Sequence, residues 1–70
     1  MLKMLKFKEG TVVRITDNTC SHGFEIGELT VIEKIIDWEN GMFSYDAHDH
    51  NGHSWVFDDD DCELVKGVLQ

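Results

Sequence analysis

Hydrophobic and polar residues alternate along much of this chain with a period of two, the mark of strands that bury one face. Thr11 to Asp17 is dominated by β-branched residues, places Val13 and Ile15 on one face, and predicts a strand after Gly10. Glu28 to Ile36 predicts a longer one. Its apolar residues change parity partway, Leu29 and Val31 against Ile32 and Ile36, so a bulge or sharp bend is expected inside it. Phe43, Tyr45 and Ala47 alternate with Ser44, Asp46 and His48 and predict a third strand. His53 to Phe57 predicts a fourth, and Cys62 to Val65 a short closing one. Asp58 to Asp61 suits a single helical turn opened by an N-capping aspartate.

Two Asn-Gly pairs punctuate the middle of the chain. Asn and Gly accept the positive φ that a two-residue hairpin turn demands, so Asn40-Gly41 and Asn51-Gly52 each predict a hairpin tip. Residues 17–27 form a long first loop of turn formers, yet Phe24 and Ile26 within it predict that it folds back onto the body. No stretch carries a helical period, and there is neither linker nor repeat. The turn spacing is that of an all-β domain over residues 1–70, a small five-stranded barrel with a short helical turn before its last strand. Residues 1–7 are expected as an apolar and basic leader that either extends the first strand or frays, and 67–70 as a tail. The expected core is Val13, Ile15, Phe24, Val31, Ala47, Val56 and Leu64.

Composition narrows the possible tasks. With 70 residues and no proline, the chain is long enough for one small core and no second domain. Fourteen acidic residues against six basic ones leave a formal net charge of −8. That excess opposes adsorption to nucleic acid or to anionic membranes and favours a basic partner surface. Lysines interrupt the apolar residues of the first six positions too often for a secretory signal, so a cytosolic protein with Cys20 and Cys62 as free thiols is expected.

The residues able to carry chemistry are scattered. Cys20, His22, His48, His50, His53 and Cys62 include zinc-type ligands, but their spacing is irregular and no Cys-x-x-Cys pair exists. Cys62 reads as a small core residue and His22 as a loop histidine bonded to backbone. Asp46, Asp49 and Asp58 to Asp61 lack the alternating spacing of a calcium loop and read as solvated turns. Cys20 with His22 has no flanking oxyanion motif, and a barrel this small has no interior pocket in which to desolvate a catalytic carboxylate, so catalysis is not expected.

Several short patterns resemble the SH3-like barrel, and more narrowly the small SH3-like proteins of bacteriophages and prophages. They are Gly10-x-x-Val13-x-Ile15, His22-Gly-Phe-Glu-Ile-Gly27, Tyr45-x-Ala47, Trp55-Val56 and Asp61-x-Glu63-Leu64-Val65, together covering residues 8–66. The acidic Ala-Leu-Tyr-Asp-Tyr segment of signalling SH3 domains is missing, so proline-rich peptides are not the implied ligand. The resemblance implies that Val56 points inward and that Trp55 lies partly exposed in a groove. By the same resemblance the chain is expected to be a non-enzymatic binding module that docks on a host or phage protein in the host cytoplasm, with Trp38, Trp55, Tyr45, Asp58 and Asp59 as the partner-binding residues. No cofactor, membrane or nucleic acid is expected. The alternative is an oligomeric binder of a small nucleotide signal, driven together by the apolar leader and Val68-Leu69, with Arg14 or the lysines at positions 3, 6, 8 and 34 meeting phosphate. A further alternative is a zinc module whose ligands would be His48, His50 and His53.

Overall fold

A computed structural model describes residues 5–39 and 41–65. Six strands run in order: β1 (Val12–Ile15), β2 (Leu29–Val31), β3 (Lys34–Asp37), β4 (Phe43–His48), β5 (Ser54–Phe57) and β6 (Cys62–Leu64), with a 3₁₀ turn at Asp59–Asp61 before the last. They form two antiparallel three-stranded sheets, β2-β1-β6 and β3-β4-β5. The all-β expectation holds. The count among the described residues is six and not five, because the long strand predicted over residues 28–36 is divided between the sheets, and those residues show two sheets rather than one closed hydrogen-bonded cylinder.

The division falls where the apolar parity changes. Ile32 N–H donates to the Thr11 carbonyl (2.9 Å) beside β1, whereas the next residue, Glu33, donates to the Asp46 carbonyl (2.9 Å) of β4. Inward positions therefore run Thr30 and Ile32 before the corner and Ile35 after it, a spacing of three that a continuous strand does not allow.

Val13 and Ile15 of β1, Ile32 at the corner, Tyr45 and Ala47 of β4, and Phe57 of β5 are all but completely enclosed, and Phe7, Phe24 and Cys62 complete the core. Aromatic rings meet edge to face inside it: the centroids of Phe24 and Phe57 are 5.4 Å apart at 87°. Three expected core residues lie instead on the surface, Val31, Val56 and Leu64. A slip of one position turns every side chain of a strand over; β2 buries Thr30 in place of Val31, and β5 turns Phe57 and Trp55 inward in place of Val56. Leu64 is paired with the buried Val13, yet it stands at the end of a three-residue strand with part of its side chain uncovered.

Of the two outcomes expected for the leader, Phe7 does not fray: its ring is buried and its N–H bonds to the Tyr45 hydroxyl (3.2 Å). Residues 1–4 of the leader, and the tail with Val68-Leu69, lie outside the described residues. Both hairpin tips are longer than predicted. Asp49 N–H bonds to the His53 carbonyl (2.9 Å) and Gly52 N–H to the Asp49 carbonyl (3.0 Å), a three-residue loop in which Gly52 takes a positive φ of 84°. At the first tip Trp38 N–H bonds to the Met42 carbonyl (3.1 Å), and Glu39 and Gly41 both have positive φ. Asn40 itself lies outside the described residues.

Candidate functional site

The outer face of the β3-β4-β5 sheet carries the largest exposed side chains near the first hairpin. Cross-strand pairing of Ile36 with Ser44, and of Lys34 with Asp46 and then Val56, places these residues on one face. Trp38 continues it at the hairpin, where its indole N–H donates to Ser44 Oγ (2.8 Å) and holds the ring against β4. Trp38 is 53% exposed, Met42 51% and Val56 38%, with Ile36 half-buried beside them. Charged residues flank this strip: Glu39 is exposed at the hairpin, exposed Lys34 shares the face, and Asp46 is half-buried with Ser54 Oγ–H bonded to its carboxylate (2.6 Å).

Of the five expected partner-binding residues, Trp38 is the one freely presented. Tyr45 is 1% exposed and belongs to the core. It alternates inward on β4, and its hydroxyl is taken by a short bond to Asp59 and by the Phe7 N–H. Burial, reinforced by the Asp59 carboxylate, drives its pKa far up. Asp59 is thereby committed to the closing turn, and Asp58 serves as the N-cap, its carboxylate accepting from Asp60 N–H (3.1 Å). Trp55 is partly buried, packs on the core, and donates its indole N–H to Asp49 Oδ2 (2.9 Å). Its ring lies so close over Gly23 that no Cβ would fit there. Sequence reasoning misses Met42 and Val56, because alternation alone does not say which parity of a short strand faces out.

The histidines of the second hairpin do not converge; each has its own carboxylate. His48 Nδ1 meets Glu33 Oε2 at 2.8 Å, His50 Nδ1 meets Glu28 Oε2 at 3.0 Å, and His53 Nδ1 lies 3.8 Å from Asp49 Oδ2. The bonds to Glu33 and Glu28 raise the pKa of His48 and His50. Glu28 also accepts the Glu25 N–H and so ties the long loop to the hairpin. Asp49 is the hub of the tip: it accepts from the Trp55 indole, from Asn51 N–H (2.8 Å) and from His53 N–H (3.0 Å). The indole bond contributes most to holding its pKa down at about 2. Among the described residues these histidines belong to no cluster of three ligand-bearing groups.

The long loop is built rather than loose. Asn18 spans it with two bonds to the His22 backbone, both 2.9 Å. His22 is buried, donates from Nε2 to the Asp17 carbonyl (2.7 Å) and accepts the Phe24 N–H at Nδ1 (3.2 Å), partners that assign the Nε2–H tautomer. The far end of the loop is anchored on Asp61: its carbonyl accepts Thr16 N–H (2.7 Å), and its Oδ1 accepts both the N–H (2.7 Å) and the hydroxyl (2.8 Å) of Thr19. Asp61 is fully buried. The sequence shows it as one more aspartate in an acidic run; in the fold Asp58 is the extended N-cap of the 3₁₀ turn, and the Asp61 N–H bonds back to the Asp58 carbonyl (3.0 Å).

An apolar groove lies at the other side of the molecule, lined by Leu5, Phe7 and Leu64 with Lys6, Lys8 and Thr11. No helix among the described residues is long and apolar enough to cross a membrane. Comparison of the chain with protein-family models, with curated proteins and with solved structures found no match.

Proposed function

We propose that this chain is a non-enzymatic SH3-like binding module of the phage type, which docks on a host protein in the host cytoplasm and inhibits or redirects it. The SH3-like part of the reading is supported by the order of elements. A long loop follows β1, the segment after it is shared between two three-stranded sheets, and a 3₁₀ turn leads into a closing strand beside β1. The single observation that carries the binding part is the strip of Trp38, Met42, Ile36 and Val56 on the outer sheet face. It is a half-exposed tryptophan, pinned by its indole N–H, on a face that carries Asp46 and Lys34. Tryptophan fixed in place loses little freedom on docking and contributes strongly when it fills a pocket. With a net charge of −8, the complementary surface is an apolar pocket edged by lysine or arginine.

The test is affinity capture from host lysate with the wild type, Trp38→Ala and Val56→Asp side by side, followed by titration of the captured protein. The expected result is a partner held by the wild type and weakened by at least about tenfold in both variants. A partner bound equally by all three proteins would overturn the docking face.

The nucleotide-signal alternative draws on a different feature, the groove in which Lys6 and Lys8 flank Leu5, Phe7 and Leu64. Its signature is an oligomer in sedimentation that takes up a nucleotide and releases it when Lys6 and Lys8 are changed to glutamine.

A further inference from the structure

We propose that Cys20, Asp58 and Asp61 form a binding site for a divalent, thiophilic cation of the zinc class, which clips the long loop to the 3₁₀ turn. One ligand atom from each residue, Cys20 Sγ and a carboxylate oxygen from each aspartate, lies within 4.8 Å of the others. Zinc bonds of roughly 2.3 Å to sulfur and 2.0–2.2 Å to oxygen put neighbouring ligands of a tetrahedron about 3.3–3.7 Å apart. The set therefore has to contract by about an ångström at its widest. Cys20 and Asp58 are the less buried members of the set, so the contraction falls to their side chains.

The observation that points to a ligand is the buried carboxylate. Asp61 is 0% exposed, and apart from the weak donor offered to its carboxylate by the Cys20 thiol, its Oδ2 has no hydrogen-bond partner. A buried carboxylate oxygen left unpaired is costly, and such atoms call for an explanation. Beside this carboxylate lie the Cys20 thiol, a weak donor, and the Asp58 carboxylate, which offers no donor when ionised. A cation would satisfy all three.

The surroundings fit the same reading. Thr19 holds Asp61 Oδ1 with its N–H and its hydroxyl, which orients the carboxylate so that Oδ2 is left for a ligand, the arrangement that outer partners give to metal-binding carboxylates. Asp58, the N-cap of the 3₁₀ turn, and Asp61, its last residue, are joined by the bond from Asp61 N–H to the Asp58 carbonyl (3.0 Å). On binding, the Cys20 thiol gives its proton to solvent and the thiolate takes its place on the metal, with a solvent molecule in the fourth position. Such a clip joins residues 20 and 61 across most of the chain, a staple of the kind small domains use.

Cobalt(II) titrated into the metal-free full-length protein tests the assignment, because thiolate coordination gives an intense sulfur-to-cobalt absorption in the near ultraviolet. The expected result is one cobalt per chain with that absorption, displaced by zinc. It should be lost in Cys20→Ser and retained in Cys62→Ser and in His48→Gln/His50→Gln. Asp58→Asn, which keeps the helix cap, should weaken cobalt at least about tenfold. Cys20→Ser changes an exposed side chain, so its fold, checked by circular dichroism, stands independently of any disruption that Asp61→Asn causes. Absence of the thiolate absorption in the wild type, or its survival in Cys20→Ser, would overturn the site.

Discussion

Replacing Gly23 by alanine tests how tightly the long loop is packed on β5. Gly23 has no positive φ, so its backbone suits any residue, and at such a position Gly→Ala ordinarily stabilises by about 0.4–1 kcal/mol. Here the sign should reverse. A Cβ on Gly23 would sit 2.8 Å from Trp55 Cη2 and closer still to Cζ2 and Cε2, where carbon contacts want roughly 3.5–4.0 Å. The indole can make room only by giving up its N–H bond to Asp49, which places the cost toward the upper part of the overpacking range, about 2–3 kcal/mol. A domain of this size has about 4–10 kcal/mol to lose. Urea unfolding followed by tryptophan fluorescence should show the midpoint falling by roughly 2 M at a slope near 1 kcal/mol per molar. In a Trp55→Leu background the penalty should vanish or turn into a small gain. A Gly23→Ala protein as stable as the wild type, or a penalty equal in both backgrounds, would refute the reasoning.

Stability should also depend on pH in two separate windows. Because His48 and His50 have raised pKa values, their contribution is complete below the unfolded histidine value of about 6.5 and disappears as pH rises through the folded values. Because Asp49 is held down at about 2, its contribution is present above about 4 and disappears as pH falls toward 2. Thermal melts should therefore peak between about pH 4 and 6.5, and His48→Gln/His50→Gln should flatten the alkaline side. Tyr45→Phe, which strips the Phe7 N–H and Asp59 of a shared hydroxyl, should cost about 1–3 kcal/mol in urea unfolding. Trp38→Ala should change stability by less than about 1 kcal/mol, since its ring is half exposed, so any partner it loses is lost at the surface and not through unfolding.

Much of the architecture was legible because strands announce themselves by period. The parity change between Val31 and Ile32 located the corner to within a residue, and the Asp58 cap and its 3₁₀ turn came from local chemistry alone. Which parity faces inward was harder to read. Val31 and Val56 look more like core than Thr30 and Trp55, yet neighbouring strands dictated the opposite choice. The candidate sites were less legible still. Trp38 could be selected as an exposed aromatic beside a turn, whereas Tyr45 was claimed by Phe7 from 38 positions away. The meeting of Cys20 with Asp61 depends on how a loop folds over a turn from the far end of the chain, and no local pattern encodes that.

The Thr19–Asp61 bonds, spanning 42 positions, also govern the sequence of events during synthesis. The β3-β4-β5 meander is made of neighbouring segments and can form as soon as Phe57 has emerged, since short loops close quickly. The β2-β1-β6 sheet has to wait for Asp61 and β6 to emerge, and until then the first loop has nothing to close upon. Nascent chains truncated just before Asp61 and carried on a linker long enough to clear the exit tunnel should thus hold a protease-resistant meander behind a cleavable amino-terminal third, and extension of the domain through Leu64 should convert the whole body to resistance in one step.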